Sequence, residues 1–166
     1  MKTGRPVAWL LDGLPKETFI DVVEVSAPPR GRFTPPPSAL QGLEWLSRGR
    51  DVLAVLEEPG RVRLAPWGGA TGVLARIQEL GRALDEGDPT AADSLLMLQD
   101  RYRRLSIEHD GRLHLPPVVA IHIDPNDAFA GFALFVVRYP QHVELWSTTV
   151  RERNLERAAA QFADLT

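Results

Sequence analysis

Short apolar runs punctuated by Gly and Pro set the rhythm of this chain, and their period alternates between two and 3.6 residues. Phe19–Val25 carries Ile20, Val22, Val23 and Val25 and predicts a strand, which Pro28-Pro29-Arg30-Gly31 breaks. Phe33 opens a short extended piece that Pro35-Pro36-Pro37 ends. Ser38–Leu46 predicts a short helix with Leu40, Leu43 and Leu46 on one face. Asp51–Leu56 and Arg61–Leu64 predict two strands joined at Glu57-Glu58-Pro59-Gly60. Val73, Leu74, Ile77, Leu80 and Leu84 recur at helical spacing and predict a helix over 71–84. Asp88-Pro89 supplies an N-cap and a first-turn Pro for a further helix, which holds Leu95, Leu96 and Leu98 and ends near Tyr102. Leu105–Glu108 then faces Leu113–Leu115 across the tight turn His109-Asp110-Gly111. Phe132–Val137 and His142–Trp146 predict a hairpin around Tyr139-Pro140-Gln141. Thr149-Val150-Arg151-Glu152 has the form of a capping box ahead of a last helix with Leu155, Ala158, Ala159, Phe162 and Leu165.

The pattern occurs twice. Gly31-Arg32-Phe33-Thr34-Pro35-Pro36 is answered by Gly111-Arg112-Leu113-His114-Leu115-Pro116, an offset of 112 − 32 = 80. Val52–Leu64 is answered by Ala133–Leu145, an offset of 145 − 64 = 81. Each copy then meets a Trp, Trp67 or Trp146, and a helical segment. A half-domain repeat leaves strand edges and an apolar face exposed when alone, so the two units are expected to close one core together about a pseudo-twofold axis. The expected division is a first unit over 19–84 with an extension over 1–18, a linking helix over 88–104, and a second unit over 105–166.

Composition narrows the chemistry. The 166 residues include no Cys, which excludes disulfides, thiolate metal sites and Cys catalysis. No apolar run approaches the ~20 residues of a membrane span, and Val7-Ala8-Trp9-Leu10-Leu11 is too short for a signal-peptide core, so a cytoplasmic location is expected. Net charge divides unevenly: 10 − 9 = +1 over 1–81 and 9 − 13 = −4 over 82–166. The overall balance is not that of a basic nucleic-acid binder, yet basic clusters stand at Arg30/Arg32, Arg48/Arg50 and Arg101/Arg103/Arg104. The last of these falls at a helix end, where cations favour the C-terminal dipole. Arg32 and Arg112 follow Gly in tight turns. They suit phosphate or base-edge contacts, and equally pairing with carboxylates across the pseudo-twofold, with Glu108 the candidate for Arg112. Trp67-Gly68-Gly69-Ala70-Thr71-Gly72 lacks the ending of a phosphate-binding loop and reads as a flexible strand-to-helix turn. His109, His114, His122 and His142 lack metal-ligand spacing, and Asp124-Pro125-Asn126-Asp127 is too short for a calcium loop. With no nucleophile motif or carboxylate pair, neither an enzyme nor a cofactor is expected.

The turn-Gly-Arg-apolar-polar-apolar-Pro signature, followed by an apolar strand and a Val-Glu-Leu-Trp strand leading into a helix, resembles the AbrB/SpoVT swapped-hairpin fold. Two copies joined by a helix resemble the MraZ family of bacterial cell-division-cluster regulators, over residues 19–165. The second half matches better, at Glu108-His109-Asp110-Gly111-Arg112-Leu113-His114-Leu115-Pro116 and Val143-Glu144-Leu145-Trp146-Ser147. The family pattern is Asp-x-x-x-Arg with a Lys-Gly-Arg ending. Here Glu108 stands at the Asp position and Asp110 at the Lys position, while the first half has Pro28 at the Asp position and keeps Arg30-Gly31-Arg32. Both arginines survive and both acids are altered; residues 1–18 have no counterpart in the family. The resemblance implies an α+β fold, a tandem swapped-hairpin β-barrel with flanking helices. It implies an oligomeric transcriptional repressor that presents Arg30, Arg32 and Arg112, with Arg101 and Arg103, to double-stranded DNA, with salt-dependent affinity. The alternative is a protein-interaction or inhibitor module on the same scaffold that has lost DNA binding. Arg30, Arg32, Arg101 and Arg103 on one face would favour DNA; neutralisation by Glu108 and Asp110 would favour the protein partner.

Overall fold

The computed structural model describes residues 19–26, 31–68 and 71–163. In chain order the elements are β1 (Phe19–Val25), β2 (Arg32–Phe33), α1 (Pro37–Leu40), β3 (Asp51–Leu56), β4 (Arg61–Pro66), α2 (Thr71–Asp85), α3 (Pro89–Arg101), β5 (Tyr102–Ile107), β6 (Leu113–His114), α4 (Pro117–Ile123), β7 (Phe132–Arg138), β8 (Val143–Trp146) and α5 (Thr148–Ala163). The strands form one antiparallel sheet in the order β1-β7-β8-β4-β3-β5-β6-β2. The sheet curls until its two edges nearly meet. There the Ser26 N–H donates to the Arg32 carbonyl and the Arg32 N–H to Ser26 Oγ, both at 3.0 Å. The fold is therefore α+β, an almost closed eight-stranded barrel with helices around it.

Strand alternation fills the barrel. Val25, Val52, Ala54, Leu56, Val62, Leu64, Leu105, Ile107, Leu134, Val136, Val143 and Leu145 turn into one shared core, which α1 and α4 close with Ala39, Val119 and Ile123. The outer faces are covered in part. Leu53, Val55, Ala65, Trp67 and Tyr102 pack with Val73 and Leu74 of α2, and Val137 and Trp146 pack with Val150 of α5.

The order of strands carries the internal symmetry. Exchanging β1 with β5, β2 with β6, β3 with β7 and β4 with β8 reproduces every paired neighbour except β5–β6, whose counterpart β1–β2 is the near-closure at Ser26 and Arg32. No strand of the first unit except the β3–β4 hairpin pairs within its own unit, since β1 pairs with β7 and β2 with β6. The register corrects the sequence alignment in one place. Val52 pairs with Leu105, and the equivalent pair is Leu134 with Val23, so β3 matches β7 at an offset of 134 − 52 = 82 rather than 81. A one-residue slip exchanges the two faces of a strand, so only the even offset places Val52, Ala54 and Leu134, Val136 together inside. The hairpin loops restore 81: the Glu57 N–H reaches the Arg61 carbonyl across three residues, and the Tyr139 N–H reaches the His142 carbonyl across two.

Three local expectations change. The linking helix ends at Arg101, because Tyr102 turns to φ −120°, ψ 134° and starts a strand; Arg103 and Arg104 belong to β5. Pairing Leu105 and Ile107 into the core outweighs a further helical turn. Of the predicted 38–46 helix only 38–40 is α-helical, within a helix that starts at Pro37. The last helix starts two residues earlier than the capping box at Thr149 implies. Ser147 Oγ caps it by accepting from the Val150 N–H at 3.1 Å.

Candidate functional site

The two Gly-Arg turns lie side by side because β2 and β6 pair antiparallel, Arg32 opposite His114 and Phe33 opposite Leu113. Gly31 is required by contact as well as by conformation. Its φ is +53°, its carbonyl accepts from the Leu115 N–H at 2.7 Å, and a Cβ there would lie 2.6 Å from the Leu115 carbonyl oxygen. Gly111, at φ +89°, passes beneath the Arg48 guanidinium, whose Nε would lie 3.1 Å from a Cβ.

Both arginines are engaged by carboxylates. Arg32 Nε donates to Glu108 Oε1 at 2.8 Å, across the two units. Arg112 turns back on its own loop, Nε donating to Asp110 Oδ2 at 2.8 Å and Nη2 lying 2.7 Å from the same oxygen. The expected pairing of Glu108 with Arg112 is therefore corrected: Glu108 takes Arg32, because the β2–β6 pairing lays Arg32 alongside the 108–112 turn. The Arg112 side chain and N–H hold the Asp110 carboxyl below the usual carboxylate range, and Asp110 raises Arg112 in return. These groups are largely in water, so their pairing fixes orientation more than it stabilises the fold.

Arg101 and Arg103 are elsewhere. They sit where α3 passes into β5, about 20 Å along the strand from the Glu108–Arg112 turn at ~3.3 Å per residue. Arg101 lies 3.8 Å from Glu57 and over the Tyr102 ring, and Arg103 stands opposite Ala54 in the register. Arg104 donates to Asp51 at 2.6 Å, which lowers the Asp51 carboxyl, and covers the Trp67 ring. Arg30 lies outside the described residues.

Two polar centres have no precedent in the repeat motifs. Glu144, 3% exposed, receives Arg61 in a fork at 2.8 and 3.0 Å, Trp146 Nε1 at 2.8 Å and His142 Nε2 at 3.0 Å, and Tyr139 stacks on His142. Burial pushes the Glu144 carboxyl up, but the bonds from Arg61, Trp146 and His142 outweigh it and hold the group below the usual range. Arg138, 1% exposed, meets no carboxylate among the described residues. Its Nη1 donates to the carbonyls of Ala39 (2.9 Å) and Gln41 (2.7 Å), and its Nε to that of Tyr139 (2.7 Å). The opposite hairpin is held in the mirrored sense. His122 Nε2 of α4 donates to the carbonyls of Glu58 and Arg61, and the Gly60 N–H donates back to the His122 carbonyl. Each short helix thus clasps the hairpin of the other unit. Sequence reading missed both centres because a charged residue in an apolar strand gives no sign of which face it occupies until the register is known. The Arg61/Glu144 pair spans 83 residues.

Among the described residues no cluster of three or more His, Asp or Glu is placed to hold a metal ion, and no helix is long and apolar enough to cross a membrane. No protein-family model matches the chain, and no curated protein matches it.

Proposed function

We propose that this chain is a protein-interaction module built on a tandem swapped-hairpin scaffold of the AbrB/SpoVT kind, similar in plan to the MraZ regulators, whose arginine turns serve the fold rather than DNA. The observation that carries the reading is the engagement of both turn arginines, Arg32 by Glu108 and Arg112 by Asp110. A guanidinium held by a carboxylate has fewer donors to offer a phosphate or a guanine edge, and the acid beside it offsets its charge and repels phosphate. The separation of Arg101 and Arg103 from these turns removes the continuous basic face that groove binding uses. The partner is a protein, and a second copy of the chain is the first to test. Leu84 of α2 and Leu96 and Met97 of α3 stand exposed on the α2–α3 helical pair.

One observation favours the DNA reading. The turn end keeps an excess of cation, Arg32, Arg48 and Arg112 against Glu108 and Asp110, or 3 − 2 = +1, with Arg50 also exposed nearby. Titration of the full chain with double-stranded DNA at two salt concentrations separates the two. The expected result is negligible binding by the native protein and a gain of salt-dependent binding in Glu108→Gln/Asp110→Asn. Native binding that weakens steeply with salt, with Arg32→Ala and Arg112→Ala each lowering the salt slope by about one unit, would restore the repressor reading and overturn the proposal.

A further inference from the structure

We infer that Arg48 and Arg50, beside the 108–112 turn, are the docking point for an acidic segment of a protein partner, one that offers separate Asp or Glu carboxylates. This site rests on the protein-interaction reading and adds the chemistry of the partner. The 48–50 segment is fastened to the second turn by its backbone. The Gly49 N–H donates to the Ile107 carbonyl at 2.7 Å, and the Ile107 N–H donates to the Arg50 carbonyl at 2.9 Å. The side chains then cross over. The His109 ring lies against Gly49, where a Cβ would come within 3.2 Å of Cε1, and the Arg48 guanidinium lies against Gly111. Arg48 is therefore held over the turn before any ligand arrives, which lowers the ordering cost of binding.

Arg48 and Arg50 are exposed, and among the described residues neither has a carboxylate within ion-pair distance. That separates them from the cations around them. Arg32 is held by Glu108, Arg112 by Asp110 and Arg104 by Asp51. The internal symmetry speaks against a structural role for the two open forks. At the offset of 82 that relates β3 to β7, Arg48, Gly49 and Arg50 correspond to Ala130, Gly131 and Phe132. Gly49 and Gly131 share a positive φ, and the contact of Ile107 with Arg50 recurs as the pair of Val25 with Phe132. The backbone device is common to both units, yet the other copy is built with no cation at either position, and Phe132 turns into the core where Arg50 faces water.

The acids nearby select the ligand. Asp110 belongs to the same turn as His109, and Glu44 lines the same shallow hollow as Arg48. Duplex DNA carries one negative charge per ~1.7 Å of its axis, so it lays phosphate on these carboxylates as well as on the arginines. A peptide places its carboxylates singly. It reaches Arg48 and Arg50 with planar, bidentate pairs and leaves Asp110 and Glu44 to its own N–H groups.

The probe is a short fluorescein-labelled peptide in which Glu and Asp alternate with Ser and Gly. Its binding to the full chain is followed by anisotropy at low and at physiological salt, beside its Gln/Asn counterpart and a labelled DNA duplex. The native protein should bind the acidic peptide and not the amide counterpart. Arg48→Ala/Arg50→Ala should weaken that binding roughly fivefold or more, the scale of two exposed ion pairs, with Tm unchanged. Arg82→Ala/Arg157→Ala, which removes two exposed cations elsewhere, should leave it as it was. An equal loss in that control pair would reduce the effect to net charge and overturn the proposal. A native chain that binds neither the acidic peptide nor the duplex would overturn it too, while leaving the protein-interaction reading in place. Duplex binding that Arg48→Ala/Arg50→Ala abolishes would overturn both.

Discussion

Arg138 is the most exacting test of how the two units are joined. It occupies the repeat position of Leu56, since 138 − 56 = 82, yet it is a buried cation whose partners among the described residues are carbonyls, not an anion. The reason is the length of the helix above it. α4 has seven residues and meets Leu56 with Val119 and Ile123 in the core. α1 has four residues and ends early, so the carbonyls of Ala39 and Gln41 point at the hairpin below. Three charge-assisted donations to carbonyls, each of ~1.5–3 kcal/mol, oppose a desolvation penalty of several kcal/mol for the guanidinium. In Arg138→Met the penalty disappears with the charge. The Ala39 and Tyr139 carbonyls then lose their donor at roughly 1–3 kcal/mol each, while exposed Gln41 turns to water. The net expectation is a destabilisation of about 3 kcal/mol, or a fall in Tm of roughly 6–12 °C for a chain of this size. Calorimetry with urea titration at neutral pH measures it. A variant melting within about 2 °C of the parent would show that the carbonyls are satisfied some other way and that Arg138 does not hold the second hairpin beneath α1.

The Glu144 centre predicts a pH dependence. Its carboxyl is lower in the folded state than the ordinary 4.5, so its contribution is complete above about pH 4.5 and drains as pH falls further. Glu144→Gln should lower Tm at pH 7 and flatten its decline between about pH 5 and pH 3; parallel curves for the two proteins would contradict the assignment. The pairing scheme predicts the fate of an isolated half. Residues 1–84 hold one hairpin whose outer neighbours, β5 and β8, both lie in the other unit, so this fragment should show no cooperative melt as a monomer, checked by circular dichroism and light scattering.

The sequence makes the strands and helices legible because the barrel is built from alternation. Val52, Ala54, Leu56 and Leu105, Ile107 announce a strand face by themselves. The Gly31/Gly111 motifs are legible for a second reason: Gly31 has positive φ and a carbonyl oxygen against its Cα, a demand only Gly meets cheaply. The register was not legible. Two apolar strands align almost equally well at 81 and 82, and only the loop lengths, three residues against two, decide between them. The partners of the arginines depended on that same step. Glu108 is four residues from Arg112 in sequence, but the β2–β6 ladder brings Arg32 to it instead. Local propensity gave Arg103 and Arg104 to the helix, and the pull of Leu105 and Ile107 into the core moved them to the strand.

The ladder between β4 and β8 sets Arg63 opposite Glu144, its own counterpart at an offset of 81. A position on the axis of a true dimer of identical halves must face itself, so Arg would meet Arg or Glu would meet Glu, and like charges directly opposite weaken a sheet. Joining the halves in one chain lifts that constraint. With Arg on one side of the axis and Glu on the other, the joined halves meet as opposite charges, where either half paired with its own kind would set like charges opposite each other.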